Sequence, residues 1–384
     1  MLIKNGKIIT ITGKTYENGC ILMKDGKIIE ISEHIEEKDE RVIDAKGGWV
    51  IPGIIDAHCH VGMFEEGIGF EGSDGNEATD PITPHLRAID AVNPMDSAFE
   101  DARNSGITTV MTGPGSANVI GGQFVVMKTH GVCIDDMVIK DSAAMKIAFG
   151  ENPKRVYHGK GKTPSTRMAT AGLLRETLVK AKNYMGKKNS AKIKGDSFEV
   201  DLKMEALIPV LQKKIPLKAH AHRADDILTA IRIAKEFDVN LTLEHCTEGE
   251  FIAKYINEAN VSAVVGPTLT SKTKVETRNK SFKTPGVLHK AGVKVAIMTD
   301  HPVIPIQYLP LCAGIAAKEG LGIDEALKAI TINAAEIAGV DDKIGSIEIG
   351  KDADIAIFDG NPLEVFTNTL YTIINGEVVY EKEN

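Results

Sequence analysis

Two histidines one residue apart close an apolar run early in the chain: His58 and His60 end VIPGIIDAHCH. On an extended strand, residues i and i+2 project to the same face. One strand would therefore aim two imidazoles at one point, with Cys59 turned the other way. The pattern recurs. His220 and His222 end IPLKAHAH, His245 ends NLTLEH, and Asp300 ends VKVAIMTD. Imidazole nitrogens with a carboxylate suit Zn²⁺ foremost, and Mn, Fe, Co or Ni by the same donor chemistry. A lone histidine at a strand end is more often a satisfied structural residue, and one His-x-His pair is a short pattern. Four separate runs that each end in a ligand-type residue argue for a metal site. Cys59 and Cys246 sit beside these candidates, but strand alternation turns both away, as buried structural cysteines.

Those side chains can meet only if their strands converge. Residues 53–344 alternate short apolar runs (GIIDAHCH, GITTVMTG, AAMKIAFG, IPLKAHAH, NLTLEHC, VSAVVGP, VKVAIMTD) with amphipathic, helix-like stretches such as ADDILTAIRIAKEFDV. Strand–helix alternation predicts a parallel sheet with helices outside it. Seven or eight units over this length fit an α/β fold of the (β/α)₈, TIM-like barrel type, whose active sites lie at the C-terminal ends of the strands. An open doubly wound sheet would carry a Gly-rich phosphate turn after its first strand. Here that place holds His-Cys-His, and the glycines at 113–115 and 121–122 lack the dinucleotide fingerprint. Residues 62–94 and 151–167 read as long loops on one face of the barrel, and 186–200 as a polar, basic, solvated loop. The two ends are β-rich. Asn5-Gly6, Asp25-Gly26 and Asn375-Gly376 each sit between strand-like runs, as in tight hairpins. Isolated hairpins are marginal in water, so residues 1–52 and 345–384 are expected to form one composite β-sandwich.

Composition narrows the function classes. The 384 residues are 43% hydrophobic and 26% charged, with a net charge of −8, and no basic run offers a footprint for nucleic acid. No apolar stretch approaches the roughly 18 residues of a membrane span, and MLIKNGKIIT lacks the design of a secretory signal. Five scattered cysteines fit a reducing compartment rather than a disulfide framework. The expectation is a cytoplasmic protein acting on a small molecule, without nucleic-acid or membrane partners.

The elements PGIIDAHCH (52–60), KAHAH (218–222), LEHC (243–246) and MTDHP (298–302), with IGSIEIGKDADIAIFDGNP (344–362) at the close, resemble the amidohydrolase superfamily. The resemblance spans essentially the whole chain and is strongest to its imidazolonepropionase and prolidase-like branch. It implies a distorted barrel holding one or two divalent metals. His58, His60, His220, His245 and Asp300 would be ligands, with Asp300 also activating the hydrolytic water. Bound Zn²⁺ lowers the pKa of water to roughly 7, and a nearby carboxylate can take the proton and return it to the leaving amine. Binuclear members carry a carbamylated lysine on the fourth strand. Lys146 in AAMKIAFG occupies that place, with Lys140 as its rival. His222 replaces the acid of one-metal relatives, and it would orient substrate, donate a proton, or serve as ligand in place of His220. His301 would point away from the site.

Other polar residues are candidates for the lining. Arg223 could take a substrate carboxylate, against a simple salt bridge to Asp225 or Asp226. Gln123 and Asn118 are expected after the third strand, and Tyr157, His158 and Arg167 in the loop after the fourth. The reading is a metal-dependent hydrolase of a C–N bond in an amide, cyclic amide or dipeptide, in a fold that is commonly homo-oligomeric. An amino-heterocycle deaminase would use the same site and release ammonia. A catalytically inactive binding or assembly barrel is the rival outside enzymes, and the four ligand-bearing strands argue against it.

Overall fold

A computed structural model describes residues 1–37 and 41–383 of the chain. Five strands precede the barrel: β1 (Leu2–Ile9), β2 (Thr15–Lys24), β3 (Lys27–Ser32), β4 (Val42–Asp44) and β5 (Trp49–Pro52). Eight follow: β6 (Ile54–Cys59), β7 (Ile107–Thr112), β8 (Ile120–Lys128), β9 (Val138–Ala148), β10 (Leu217–Ala221), β11 (Leu241–His245), β12 (Ser262–Val265) and β13 (Val295–Ile297). Three more, β14 (Ile355–Phe358), β15 (Thr369–Ile374) and β16 (Glu377–Glu381), return to the first group.

The two ends do build one unit. Its strands run in the order β16-β15-β14-β5-β1-β2-β3, with β4 paired to β1. They enclose Ile3, Ile8, Ile21, Val50, Ile355 and Ile373. Asp25-Gly26 and Asn375-Gly376 make hairpin turns, both residues of each pair having positive φ. Asn5-Gly6 does not. It lies inside β1 at a register shift against β2, where Asn5 has φ 56°. A side chain on Gly6 would meet Val50 at 2.5 Å, so this glycine serves close packing rather than a turn. Lys128 on the barrel clamps the two units together. Its ammonium pairs with Asp352 at 2.9 Å and also with Asp354.

The barrel sheet runs in sequence order from β6 to β13. It departs from a regular (β/α)₈ arrangement at one strand: β8 pairs antiparallel with both β7 and β9. The reason lies in chain length. Only seven residues, 113–119, connect β7 to β8, whereas a parallel crossover needs a dozen or more. Sequence periodicity missed β8 because two adjacent glycines, Gly121 and Gly122, interrupt its apolar run.

The seam between β6 and β13 is closed by a side chain. Asp56 accepts the His58 N–H at 3.0 Å, the Thr299 N–H at 3.0 Å and the Thr299 hydroxyl at 2.6 Å. The His60 N–H adds a bond to the His301 carbonyl at 3.0 Å. Two expected loops are partly helical. Residues 151–158 form a helix with Pro153 in its first turn, where proline costs no hydrogen bond. The helix Arg167–Lys194 absorbs 186–194 and stops at Gly195, φ 73°. Four lysines and an alanine favour helix in that stretch against Gly186, Asn189 and Ser190, and burial ends at Ala181, so its far half is helical yet solvated. Among the described residues, no helix is long and apolar enough to cross a membrane.

Candidate metal centre

Strand register brings the ligand candidates to one end of the barrel. His58 on β6 and His60, one residue past its end, follow Asp56 inward. Lys218 and His220 on β10 share a face with His222 just past its end, with Lys218 opposite Lys146 of β9 and His220 opposite Glu244 of β11. Simple alternation would admit only one of Glu244 and His245. Both face inward, because His245 takes a left-handed conformation, φ 69°, and Cys246 follows at φ 51°. Asp300 likewise sits at φ 57°, beyond the end of β13. Non-glycine residues held there are strained, and such strain concentrates at functional sites. Cys59 and Cys246 are buried in the packing outside the barrel.

Two groups of three ligand atoms result: His58, His60 and Asp300, and His220, His222 and His245. Within each, the atoms lie within 4.8 Å of one another. Asp300 Oδ1 is 3.5 Å from His58 Nε2 and 3.3 Å from His60 Nε2. The imidazoles of His220 and His245 are 4.2 Å apart, centroid to centroid. Lys146, 1% exposed, places Nζ 3.3 Å from His58 Nε2. Lys140, at the other end of β9, instead donates to the carbonyls of Ala338 and Gly339 at 3.2 Å.

The histidines are held in ligand-ready form. His60 Nδ1 faces the Gly113 carbonyl at 2.7 Å and His245 Nδ1 the Gly266 carbonyl at 2.9 Å. His58 Nδ1 faces the Glu244 carboxylate at 2.9 Å. These partners only accept, so Nδ1 donates and the Nε2 lone pair points into the site. Glu244 is itself bonded by the Thr242 hydroxyl at 2.7 Å and lies 2.9 Å from the Lys218 ammonium. Burial, reinforced by the nearby Lys146 charge, holds His58 and His220 well below the usual histidine range. For His222 and His245 burial again dominates, followed by the charge of His220. Neutral imidazole is the form that binds metal. Burial also lowers Lys146 to about 8, against the opposing pull of Asp300 and Glu244. Three of the eight buried polar atoms without a hydrogen-bond partner among the described residues belong to this centre: Lys218 Nζ, His220 Nδ1 and Glu276 Oε1. The imidazole and carboxylate donor set fits divalent metal.

A cavity of about 380 Å³ opens onto this centre. His60, His220, His222, His245 and Asp300 line its floor, and Lys274 and Lys280 stand among small polar residues on its wall. Four residues expected to bind substrate lie off its surface. Arg223 spends its fork on Asp225, at 2.9 and 2.8 Å. Gln123 falls on β8 itself rather than after the third strand, and donates to the Pro84 carbonyl at 3.1 Å. Tyr157 is buried and donates to Asn118 Oδ1 at 2.5 Å. His158 is exposed on its helix, beside Ser165 at 3.2 Å. Arg167 is tied to Asp226 at 3.1 Å, and His301 faces away from Asp300, accepting the Ile306 N–H at 3.2 Å. Sequence reasoning missed Glu276, Lys274 and Lys280. They sit in an irregular segment after β12 whose polar composition gave no periodic signal.

Comparison with known proteins gives a consistent picture. The amidohydrolase family model matches residues 49–379. An amidohydrolase from Thermotoga maritima MSB8, known from its crystal structure, is 47% identical with a TM-score of 0.97, covering 99% of this chain and 100% of that one. Amidohydrolase tasK of Hapsidospora irregularis is 27% identical over 94% of this chain, which spans only 40% of that protein's length. An imidazolonepropionase of Fusobacterium nucleatum is 24% identical over 95% of this chain and 92% of its own.

Proposed function

This chain belongs to the amidohydrolase family, and from that premise we propose that it hydrolyses an amide, cyclic amide or dipeptide bond of a small molecule with one or two divalent metals, Zn²⁺ foremost. The observation that carries the proposal is the convergence of two three-residue ligand groups, five of whose six members line the floor of one cavity, with Lys146 beside the sixth, His58. His58, His60 and Asp300 would hold one ion, and His220 and His245 the other. Lys146 would join them once carbamylated, since a carbamate offers two oxygens where an amine offers one weak donor.

A divalent ion held here supplies Lewis acidity, making water a stronger acid and a carbonyl a better electrophile. The chain's own residues do the rest. Asp300 lines the cavity and is placed to hold the proton lost by the attacking water and deliver it to the departing nitrogen. His222 also lines the cavity, its Nδ1 fixed 2.7 Å from the Thr247 hydroxyl, so its Nε2 edge would orient the substrate carbonyl. Lys274, anchored to Asn152 Oδ1 at 2.7 Å, and Lys280 give the wall a positive charge suited to a substrate carboxylate. Free thiols at all five cysteines suit the reducing cytoplasm as the place of action.

The test is metal content followed by product analysis. Metal per chain is measured on protein purified without chelator, beside Lys146→Ala and His58→Ala. The loaded enzyme is then offered cyclic amides, dipeptides and amino-heterocycles. About two ions in the parent, fewer in Lys146→Ala, and a new carboxylate with a retained amine support the proposal. Ammonia release would turn it into deamination. Failure to bind Zn²⁺ or Mn²⁺ would overturn it in favour of a binding barrel.

A further inference from the structure

The cavity over the centre is apolar at one end and cationic at the other. Phe64 packs on His60, ring centroids 5.6 Å apart, and Pro302 and Val303 follow closely on Asp300 in the chain. All three line the cavity. At the other end stand Lys274 and Lys280, near enough for both charges to be felt at His222. The two lysines are not equivalent. Lys274 lies 3.8 Å from the buried Glu276 carboxylate and bonds Asn152 Oδ1 at 2.7 Å, so its charge is already matched. Lys280 bonds only neutral groups, the Thr270 hydroxyl and, at 3.1 Å, the Ser271 carbonyl. Burial, and then the charge of Lys272, hold it below the usual lysine range, and no carboxylate among the described residues pulls the other way.

Among the described residues that line the cavity, Asp300 is the one carboxylate, and it faces His58 and His60 at 3.5 and 3.3 Å. An ammonium on a substrate would find no free acid here and two charges of its own sign. A carboxylate would find the remaining N–H of Lys280, since an ammonium has three donors and the protein takes two of them. We propose that the substrate of this site is an amide bearing a free carboxylate and no ammonium, in its simplest form an N-acyl amino acid, and that Lys280 selects the carboxylate. The acyl group then lies against Phe64, Pro302 and Val303. At about 380 Å³ the cavity is near the small end of ligand pockets, as such an acid requires. Free dipeptides are set apart, because they present the same amide with an ammonium added. A cyclic amide meets the same rule when it carries a carboxylate.

This inference rests on the proposed amide hydrolysis and narrows its substrate. The metal-loaded, full-length enzyme is offered three compounds for each amino acid X of a panel covering both hands: propionyl-X, its carboxamide, and alanyl-X. The carboxamide removes only the negative charge, and alanyl-X adds only an ammonium. Propionyl-X is expected to exceed each of the others in kcat/KM by about 10- to 100-fold, the strength of one hydrogen bond between charged groups. Lys280→Met is expected to bring the ratio of acid to carboxamide close to one, through KM rather than kcat, and Lys280→Arg to restore most of it. Metal content of both variants shows whether the centre is intact. Carboxamides cleaved as well as acids, alanyl-X preferred to propionyl-X, or the parent's ratio in Lys280→Met would overturn the inference and leave the hydrolase standing. If Lys280→Met does not fold, the parent's ratios decide. If the parent cleaves nothing, the proposed activity fails, and calorimetric titration with the same three compounds still reads the preference. Tightest binding of propionyl-X supports the inference, and equal binding of all three overturns it.

Discussion

Carbamylation of Lys146 can be tested before any substrate is known, because the reaction with CO₂ consumes the neutral amine. Burial holds the Lys146 ammonium at about 8, against an ordinary 10.5. The neutral fraction is then about 1% at pH 6, about 10% at pH 7, about half at pH 8 and about 90% at pH 9. At fixed dissolved CO₂, the initial rate of carbamate formation should rise about tenfold from pH 6 to 7, about fivefold from pH 7 to 8, and less than about twofold from pH 8 to 9. A lysine at its ordinary pKa would still climb about tenfold in that last interval. The assay is ¹³C NMR of metal-free protein with ¹³C-bicarbonate, following the carbamate carbon, with Lys146→Ala as the blank. A tenfold rise from pH 8 to 9, or an undiminished signal in Lys146→Ala, would refute the reasoning. The same shift has a stability consequence. The folded pKa lies below the unfolded one, so the metal-free, uncarbamylated protein loses stability as pH falls from 10.5 through 8. The loss totals about 3 kcal/mol.

Four further outcomes are expected. Asp300→Asn should lower kcat by about 10²- to 10⁴-fold on whatever substrate the panel identifies, and turnover at the parent rate with metal bound would remove its assigned role. Gly150→Ala forces a side chain into a left-handed position 2.7 Å from Glu276. It should cost about 1–3 kcal/mol, read as a lower thermal midpoint of the metal-free protein. Ellman's reagent at pH 8 should find one fast thiol, the exposed Cys133, and all five after denaturation; burial pushes Cys246 and Cys312 up to about 12, so more than one fast equivalent would contradict the packing. Lys128→Met leaves the buried Asp354 without its cationic partner, while Asp352 keeps Lys27 at 2.6 Å, and should destabilise the protein by about 3–5 kcal/mol, seen as a lower urea midpoint.

The parts legible in the sequence were those set by local rules. Period-two projection gave the pair His58 and His60, and strand punctuation gave the barrel and two of three hairpins. What stayed hidden depended on the third dimension. Glu244 and His245 could not both be placed inside by alternation, because the left-handed turn at His245 leaves no mark in residue type. The reversed β8 was hidden by its glycines, and the Asn5-Gly6 bulge looked like a turn because both geometries want positive φ. Arg223 was drawn to Asp225 two residues away, a local contact that outcompeted any distant carboxylate. Glu276 lay in a segment without periodicity, and only the folded chain shows what its carboxylate faces.

The Asp56 clasp bears on the order in which this chain folds. The reversed β8 makes β7, β8 and β9 a local meander whose strands meet across short connections. Asp56 and Thr299 lie 243 residues apart, and contacts so distant in sequence bear a loop-closure entropy that local ones escape. The seam is thus the late contact, and Asp300, one residue beyond Thr299, reaches His58 and His60 only when it forms. A half-folded barrel can present histidines but cannot assemble the site with the carboxylate. Ion capture at His58, His60 and Asp300 would report the last step of folding rather than guide the first, and an ion bound there would slow reopening of the seam.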